Sequence, residues 1–100
     1  MLYMIVGEDV PDSAPKRAAA RPAHLKRVQE LVDQGRLILA GPLPSIDSPD
    51  PGPAGMWGSL IVAEFDSLEA ARAWIAADPY VTDGVFARTT VNPFKQVYPT

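Results

Sequence analysis

The chain holds one histidine and no cysteine, which leaves few ways to move a proton near neutral pH. Imidazole is the side chain whose ordinary titration falls in that range. Acid–base chemistry here therefore rests on His24, in the segment Arg21-Pro22-Ala23-His24-Leu25. Thiolate nucleophiles, disulfides and cysteine-bound zinc or iron–sulfur clusters are excluded. With a single histidine and no clustered carboxylates (Asp47 and Asp50 lie in a proline-rich stretch), no metal site is expected. No glycine-rich loop opens a helix in the manner that cradles a phosphate, so no cofactor is expected either.

An imidazole base is improved by a carboxylate that holds its other nitrogen, and Asp78 is the candidate. Pro79 follows it, and the residue before a proline resists the α conformation, so Asp78 is placed at the last turn of a helix. There it faces the negative end of the helix dipole, a cost of about 0.3–1 kcal/mol that a hydrogen donor or a cation would offset. His24 is one such partner; a surface arginine such as Arg21 is another. An Asp–imidazole hydrogen bond fixes the tautomer and makes the free ring nitrogen a better base. Against this stands the plainer reading that a lone helical histidine is solvated or caps its surroundings.

The elements that must bring the two together follow from patterning. Residues 2–6 are apolar on both alternating faces and stop at Gly7, which reads as a buried strand. Residues 8–21 read as a loop with one helical turn around 14–20. Pro22 then takes the first position of a helix, with Leu25, Val28, Leu31 and Val32 at helical spacing and Gly35 as its stop. A second strand spans 36–40. Residues 41–56 hold Pro42, Pro44, Pro49, Pro51 and Pro53, a loop long enough to be functional. A third strand spans 57–65. Asp66-Ser67-Leu68-Glu69 starts a second helix with a buried stripe of Leu68, Ala71, Trp74 and Ile75. The last strand covers 85–91, closed by Pro93.

The order β-α-β-β-α-β with right-handed crossovers gives an α+β, ferredoxin-like domain over residues 1–100. It has a four-stranded antiparallel sheet and both helices on one face. The 100 residues suffice for one core. Because two strands are apolar on both sides, the sheet face away from the helices needs a cover. A second copy of the chain is the simplest one, giving a homodimer closed like a barrel; the chain's own long loop is the other. In this topology His24, Asp78 and the 41–56 loop share one end of the molecule.

Nine basic and twelve acidic side chains leave a formal charge of −3, with the basic ones scattered apart from a loose cluster at 16–27. That cluster reads as a solvated helix face, so no nucleic-acid partner is expected. The apolar start lacks a basic flank and reaches Gly7-Glu8-Asp9 too early for a leader or a membrane span. A cytoplasmic location fits.

Arg21-Pro22-Ala23-His24-Leu25, Gly35-Arg36-Leu37, Ala40-Gly41-Pro42, Asp78-Pro79-Tyr80 and Pro93-Phe94-Lys95 together resemble the YciI-like protein family, in order and through essentially the whole chain. The resemblance implies a dimeric ferredoxin-like α/β-barrel and an active site of a histidine and an aspartate, which fall here on His24 and Asp78. Some relatives are cofactor-independent dehydrochlorinases acting on chlorinated hydroxyquinones.

Around that pair, Tyr80 reads as a pocket or packing residue, Ser59 as a strand hydroxyl near the pocket, and Trp57 with Met56 as an apolar wall or a dimer contact. Arg21 reads as a substrate-carboxylate anchor or a solvated cation, and Gly41-Pro42 as a turn presenting backbone N–H groups. Together these residues point to a small lyase or isomerase transferring a proton on a cyclic or aromatic substrate. A non-catalytic dimer that binds a metabolite or a protein, with His24 as a polar anchor, is the competing expectation; a cofactor-free oxygenase is a weaker third.

Overall fold

A computed structural model describes residues 1–100. The strands are β1 (Leu2–Asp9), β2 (Leu37–Pro44), β3 (Met56–Glu64) and β4 (Phe86–Phe94); the helices are α1 (Ala14–Asp33), α2 (Leu68–Ala76) and the single turn α3 (Pro79–Thr82). The sheet is antiparallel with order β2-β3-β1-β4, the ferredoxin-like βαββαβ arrangement with α3 added after α2. No helix is long and apolar enough to cross a membrane.

Register sorts the two faces. Tyr3 faces Ala63, Ile5 faces Ile61 and Gly7 faces Ser59 across β1 and β3. Tyr3, Ile5, Ile61 and Ala63 pack with Leu31 of α1 and with Ala71 and Ile75 of α2 into one core. Leu2, Met4, Val6 and Leu60 alternate onto the other face and stay half-buried. Leu39 and Phe94 flank them at 47% and 38% exposure. That face is thus apolar and uncovered by helices.

Four expectations are corrected. α1 begins at Ala14 and runs through Pro22 to Asp33, so Pro22 is inside the helix and His24 is in its middle rather than its first turn. Proline lacks the N–H for the Ala18 carbonyl and normally breaks a helix; here it lies on the exposed side, and Ala18-Ala19-Ala20 before it are the strongest helix formers. β2 continues through Gly41-Pro42 to Pro44, so that pair is not a turn, and β4 continues through Pro93 to Phe94, so the proline does not close it. Both are edge strands, where a proline's missing N–H faces solvent and costs no ladder bond. Finally, Asp78 does more than end α2. It is the N-cap of α3, its side chain accepting from Tyr80 N–H. The carboxylate thus sits at the favourable, positive end of a new helical turn.

Candidate active site

His24 lies on the face of α1 that packs inward, in step with Ala20, Val28 and Leu31. Asp78 is fully buried between α2 and α3. The two meet: His24 Nδ1–H donates to Asp78 Oδ2 at 2.7 Å. The same oxygen accepts from Tyr80 N–H at 3.0 Å, while Oδ1 accepts from Arg27 Nη1 at 2.8 Å. Burial alone would raise the Asp78 pKa, but the bonds from His24, Tyr80 and Arg27 outweigh it and hold the carboxyl below its usual range. Asp78 is therefore an anion at neutral pH and can only accept, so the Nδ1 proton is held between the two groups and the neutral tautomer of the ring carries its lone pair on Nε2.

Nε2 has no partner within the chain, and no buried side-chain nitrogen or oxygen is left unbonded. That nitrogen consequently reaches open space, and His24 lines a cavity of about 720 Å³, within the 300–1,000 Å³ range typical of small-molecule sites. Arg17, Arg21, Leu25, Gly41, Pro42, Ser59, Leu60 and Tyr80 also line it. The connection between β2 and β3 closes one side with Pro49, Asp50, Pro51, Gly52 and Gly55.

Tyr80 holds the imidazole in place. The two rings are stacked at 3.9 Å and 8°, and Phe86 meets Tyr80 edge-on at 5.4 Å and 81°. Phe86 in turn lies across Gly7, where any Cβ would overlap its ring. Glycine in β1 is thus required for the layer beneath the site. Burial raises the Tyr80 pKa more than the nearby Arg17 and Arg21 lower it, so its phenol stays protonated at neutral pH.

Of the residues named from sequence, the structure brings His24, Asp78, Arg21, Gly41, Pro42, Ser59 and Tyr80 to this cavity or its wall. Trp57 is not among them. It is 47% exposed and borders a separate recess with Asp9, Pro11, Ser45 and Pro53; its neighbour Met56 borders both. Gly41 and Pro42 contribute as edge-strand residues opposite Leu60 and Ser59.

Two arginines assigned to a solvated face are instead engaged. Arg27 bonds Asp78 and lies 4.4 Å over the Trp74 ring. Arg17 pairs with Asp9 through Nε at 2.5 Å and Nη2 at 2.9 Å. It also donates to the Gly58 carbonyl at 2.8 Å and to Ser59 Oγ at 2.9 Å. Arg27 follows His24 by three positions, which places both on one helix face; that spacing was visible. Arg17 precedes His24 by two helical turns, a relation hidden once Pro22 is taken as the helix start.

A ferredoxin-like α+β domain with a buried His–Asp pair opening on a cavity of about 720 Å³ is the class that fold and site define. The chain belongs to the YCII-related domain family, which it matches over residues 1–95. It is 57% identical over 98 residues to "Protein YciI" of Escherichia coli, covering 98% of this chain and 100% of that one. It is 46% identical over 98 residues, with the same coverage, to an uncharacterized protein of Haemophilus influenzae. Among solved structures it is similar to the 5-chloro-2-hydroxyhydroquinone dehydrochlorinase of Burkholderia phenoliruptrix AC1100 in complex with 2,5-dihydroxybenzoquinone. That similarity has a TM-score of 0.81 and 27% identity, and covers 95% of this chain and 94% of the other.

Proposed function

We propose that this protein is a small cofactor-independent enzyme of the lyase or isomerase kind, acting on a cyclic or aromatic substrate of the hydroxyquinone type. The observation that carries the reading is the His24–Asp78 bond at 2.7 Å, with Nε2 left free toward a cavity of suitable size. Nε2 takes a proton from a substrate hydroxyl or ring carbon. Asp78 stabilises the imidazolium so formed and keeps the ring from turning. In a dehydrochlorination the bond to hydrogen breaks toward His24, and its electron pair moves through the ring to expel chloride. One proton and one chloride are lost and nothing is oxidised by an outside reagent. The likeness to a dehydrochlorinase supports this choice of substrate class.

The apolar sheet face supports a homodimer as the working form, and the mild negative charge with no spanning helix fits a cytoplasmic enzyme. The test is incubation with a panel of chlorinated and unchlorinated hydroxyquinones and lactones, following chloride release and product mass. Turnover of any one supports the reading. Saturable binding across the panel without turnover supports the non-catalytic alternative instead.

A further inference from the structure

Of the two indoles in the chain, Trp74 is covered by the Arg27 guanidinium at 4.4 Å, as Arg17 covers Tyr80 and Arg36 covers Phe65 at 5.1 Å. Trp57 has no cation over it and is half exposed. It borders a recess of about 440 Å³ with Pro11, Asp12, Pro15, Pro53 and Met56, a volume within the range of small-molecule sites. The recess is distinct from the His24 cavity and shares only Ala14, Gly55 and Met56 with it. No lysine, arginine or histidine lines it. Of its two carboxylates, Asp9 is neutralised by Arg17, whereas Asp12 is paired with no cation of the chain. The start of α1 also faces the recess at Ala14 and Pro15. A helix end counts for about half a charge, less than the full negative charge at Asp12, so the field in the recess favours a cation.

We propose that this recess is a second ligand site, which binds a small organic cation through an alkylated ammonium head. The site lies outside the acid–base reading and does not depend on it. Indole is the aromatic side chain that attracts a cation most strongly, and quaternary ammonium heads are recognised in this way. Asp12 supplies the counter-charge. The rings of Pro11, Pro15 and Pro53 and the Met56 side chain supply apolar contact. A primary ammonium has three N–H donors to satisfy, which such walls serve poorly. Methyl groups on the nitrogen need no acceptor and pack against pyrrolidine and indole alike. The β1–α1 turn bounds the recess on one side and residues 53–57 bound it on the other, which suits a whole small molecule.

The test titrates the protein with choline and with 3,3-dimethylbutan-1-ol, a neutral molecule of the same shape in which carbon replaces nitrogen. NMR shifts of the backbone amides and of the Trp57 indole N–H follow the binding. Choline is expected to saturate shifts centred on Asp12 and Trp57 and to bind at least threefold tighter than the alcohol. Trp57→Leu and Asp12→Asn are each expected to weaken choline binding by roughly threefold to thirtyfold, the range of a cation–π contact, with Trp57→Phe between Trp57→Leu and the native protein. Trp57 is half exposed, and asparagine accepts the left-handed backbone of Asp12 (φ 55°) as aspartate does, so these variants keep the fold; their unaltered amide spectra elsewhere check this. Equal affinity for the alcohol, shifts centred on His24, no saturation at roughly 50 mM choline, or unchanged affinity in Trp57→Leu would each overturn the proposal. Acetate bound in the recess more tightly than choline would assign it to the α1 N-terminus instead. A short peptide carrying trimethyllysine tests the other source of the same head, and tenfold tighter binding of that peptide would overturn the assignment to a free small molecule.

Discussion

Arg27 Nη1 donates to Asp78 Oδ1 at 2.8 Å, on the oxygen that His24 does not use. The carboxylate is therefore shared between a permanent cation and an imidazole, and each of its oxygens has a fixed task. Oδ1 is neutralised by Arg27, which stacks on Trp74, while Oδ2 orients His24. This sharing makes full burial of Asp78 tolerable, because a buried charge persists only when paired and hydrogen-bonded.

Arg27→Met is accordingly expected to destabilise the fold by about 1–3 kcal/mol, the cost of leaving a charge-bonded acceptor short of a partner. Arg27→Lys should recover only part of this, since an ammonium lacks the planar stacking surface that guanidinium offers Trp74. Urea unfolding of the three proteins at neutral pH measures both numbers. Equal stability of native protein and Arg27→Met would show that the pair contributes nothing to the fold.

The depressed pKa of Asp78 makes a signed prediction for acid. Its folded value lies below that of the unfolded chain, so the stability it supplies is fully present above the unfolded value, about 3.9. That contribution falls as pH drops through this region toward the folded pKa and is gone below it. Asp78→Asn should be less stable at neutral pH and should show a weaker loss of stability between about pH 5 and 2. Thermal melts across that range for both proteins decide it; parallel curves would contradict the assignment.

The βαββαβ element order was legible because it rested on strong local signals, and the meeting of His24 with Asp78 because that order constrains which ends of the elements lie together. Apolar runs gave β1 and β3, the stretch Asp66-Ser67-Leu68-Glu69 gave the start of α2, where Ser67 is the cap, and chain direction set His24 and Asp78 near each other although His24 lies mid-helix and not in a first turn. Three things were not legible, for different reasons. Pro22 carries the same local signature at a helix start as inside a helix that the core overrides, and misplacing it removed Arg17 from the site. The prolines of β2 and β4 read as loop until it is known that both strands are edges. Trp57 follows the long loop but projects to a different recess, an outcome set by the register of β3 and invisible in composition.

Gly7→Ala tests the layer beneath the site. A Cβ there overlaps the Phe86 ring, which packs edge-on against Tyr80 and so supports the stack on His24. Overpacking of this kind costs about 1–3 kcal/mol. Its mark should be a changed His24 imidazole signal in the NMR spectrum of a still-folded protein. A shift confined to residues of β1 and β4 would mean that Phe86 relaxes without moving Tyr80.

The proposed homodimer is tested through the outer sheet face. Met4, Val6, Leu39, Leu60 and Phe94 share it by register, and a patch of that kind on a small domain signals association. Sedimentation at micromolar concentration is expected to give a dimer, with more than roughly 2,000 Å² buried in total. Val6→Asp should shift the equilibrium to monomer and lower stability with it. A native protein that sediments as a monomer would remove the barrel reading.

The most direct test of the chemistry is the pair itself. If Nε2 of His24 transfers the proton, His24→Ala should lose roughly 10²–10⁴ in rate on whichever hydroxyquinone is turned over, the usual contribution of a general acid–base group. Asp78→Asn keeps the size of the side chain and one acceptor for Nδ1–H, but removes the charge that stabilises imidazolium, so its rate should fall while substrate affinity changes little. Asn also leaves Arg27 without its counter-charge, so that variant must be assayed at a temperature where it is shown to be folded. His24→Ala should stay folded and bind product analogues, because the imidazole caps no helix and its loss leaves Asp78 still bonded to Tyr80 N–H and Arg27. Full turnover in folded His24→Ala would make the pair structural and leave the cavity as a binding site alone.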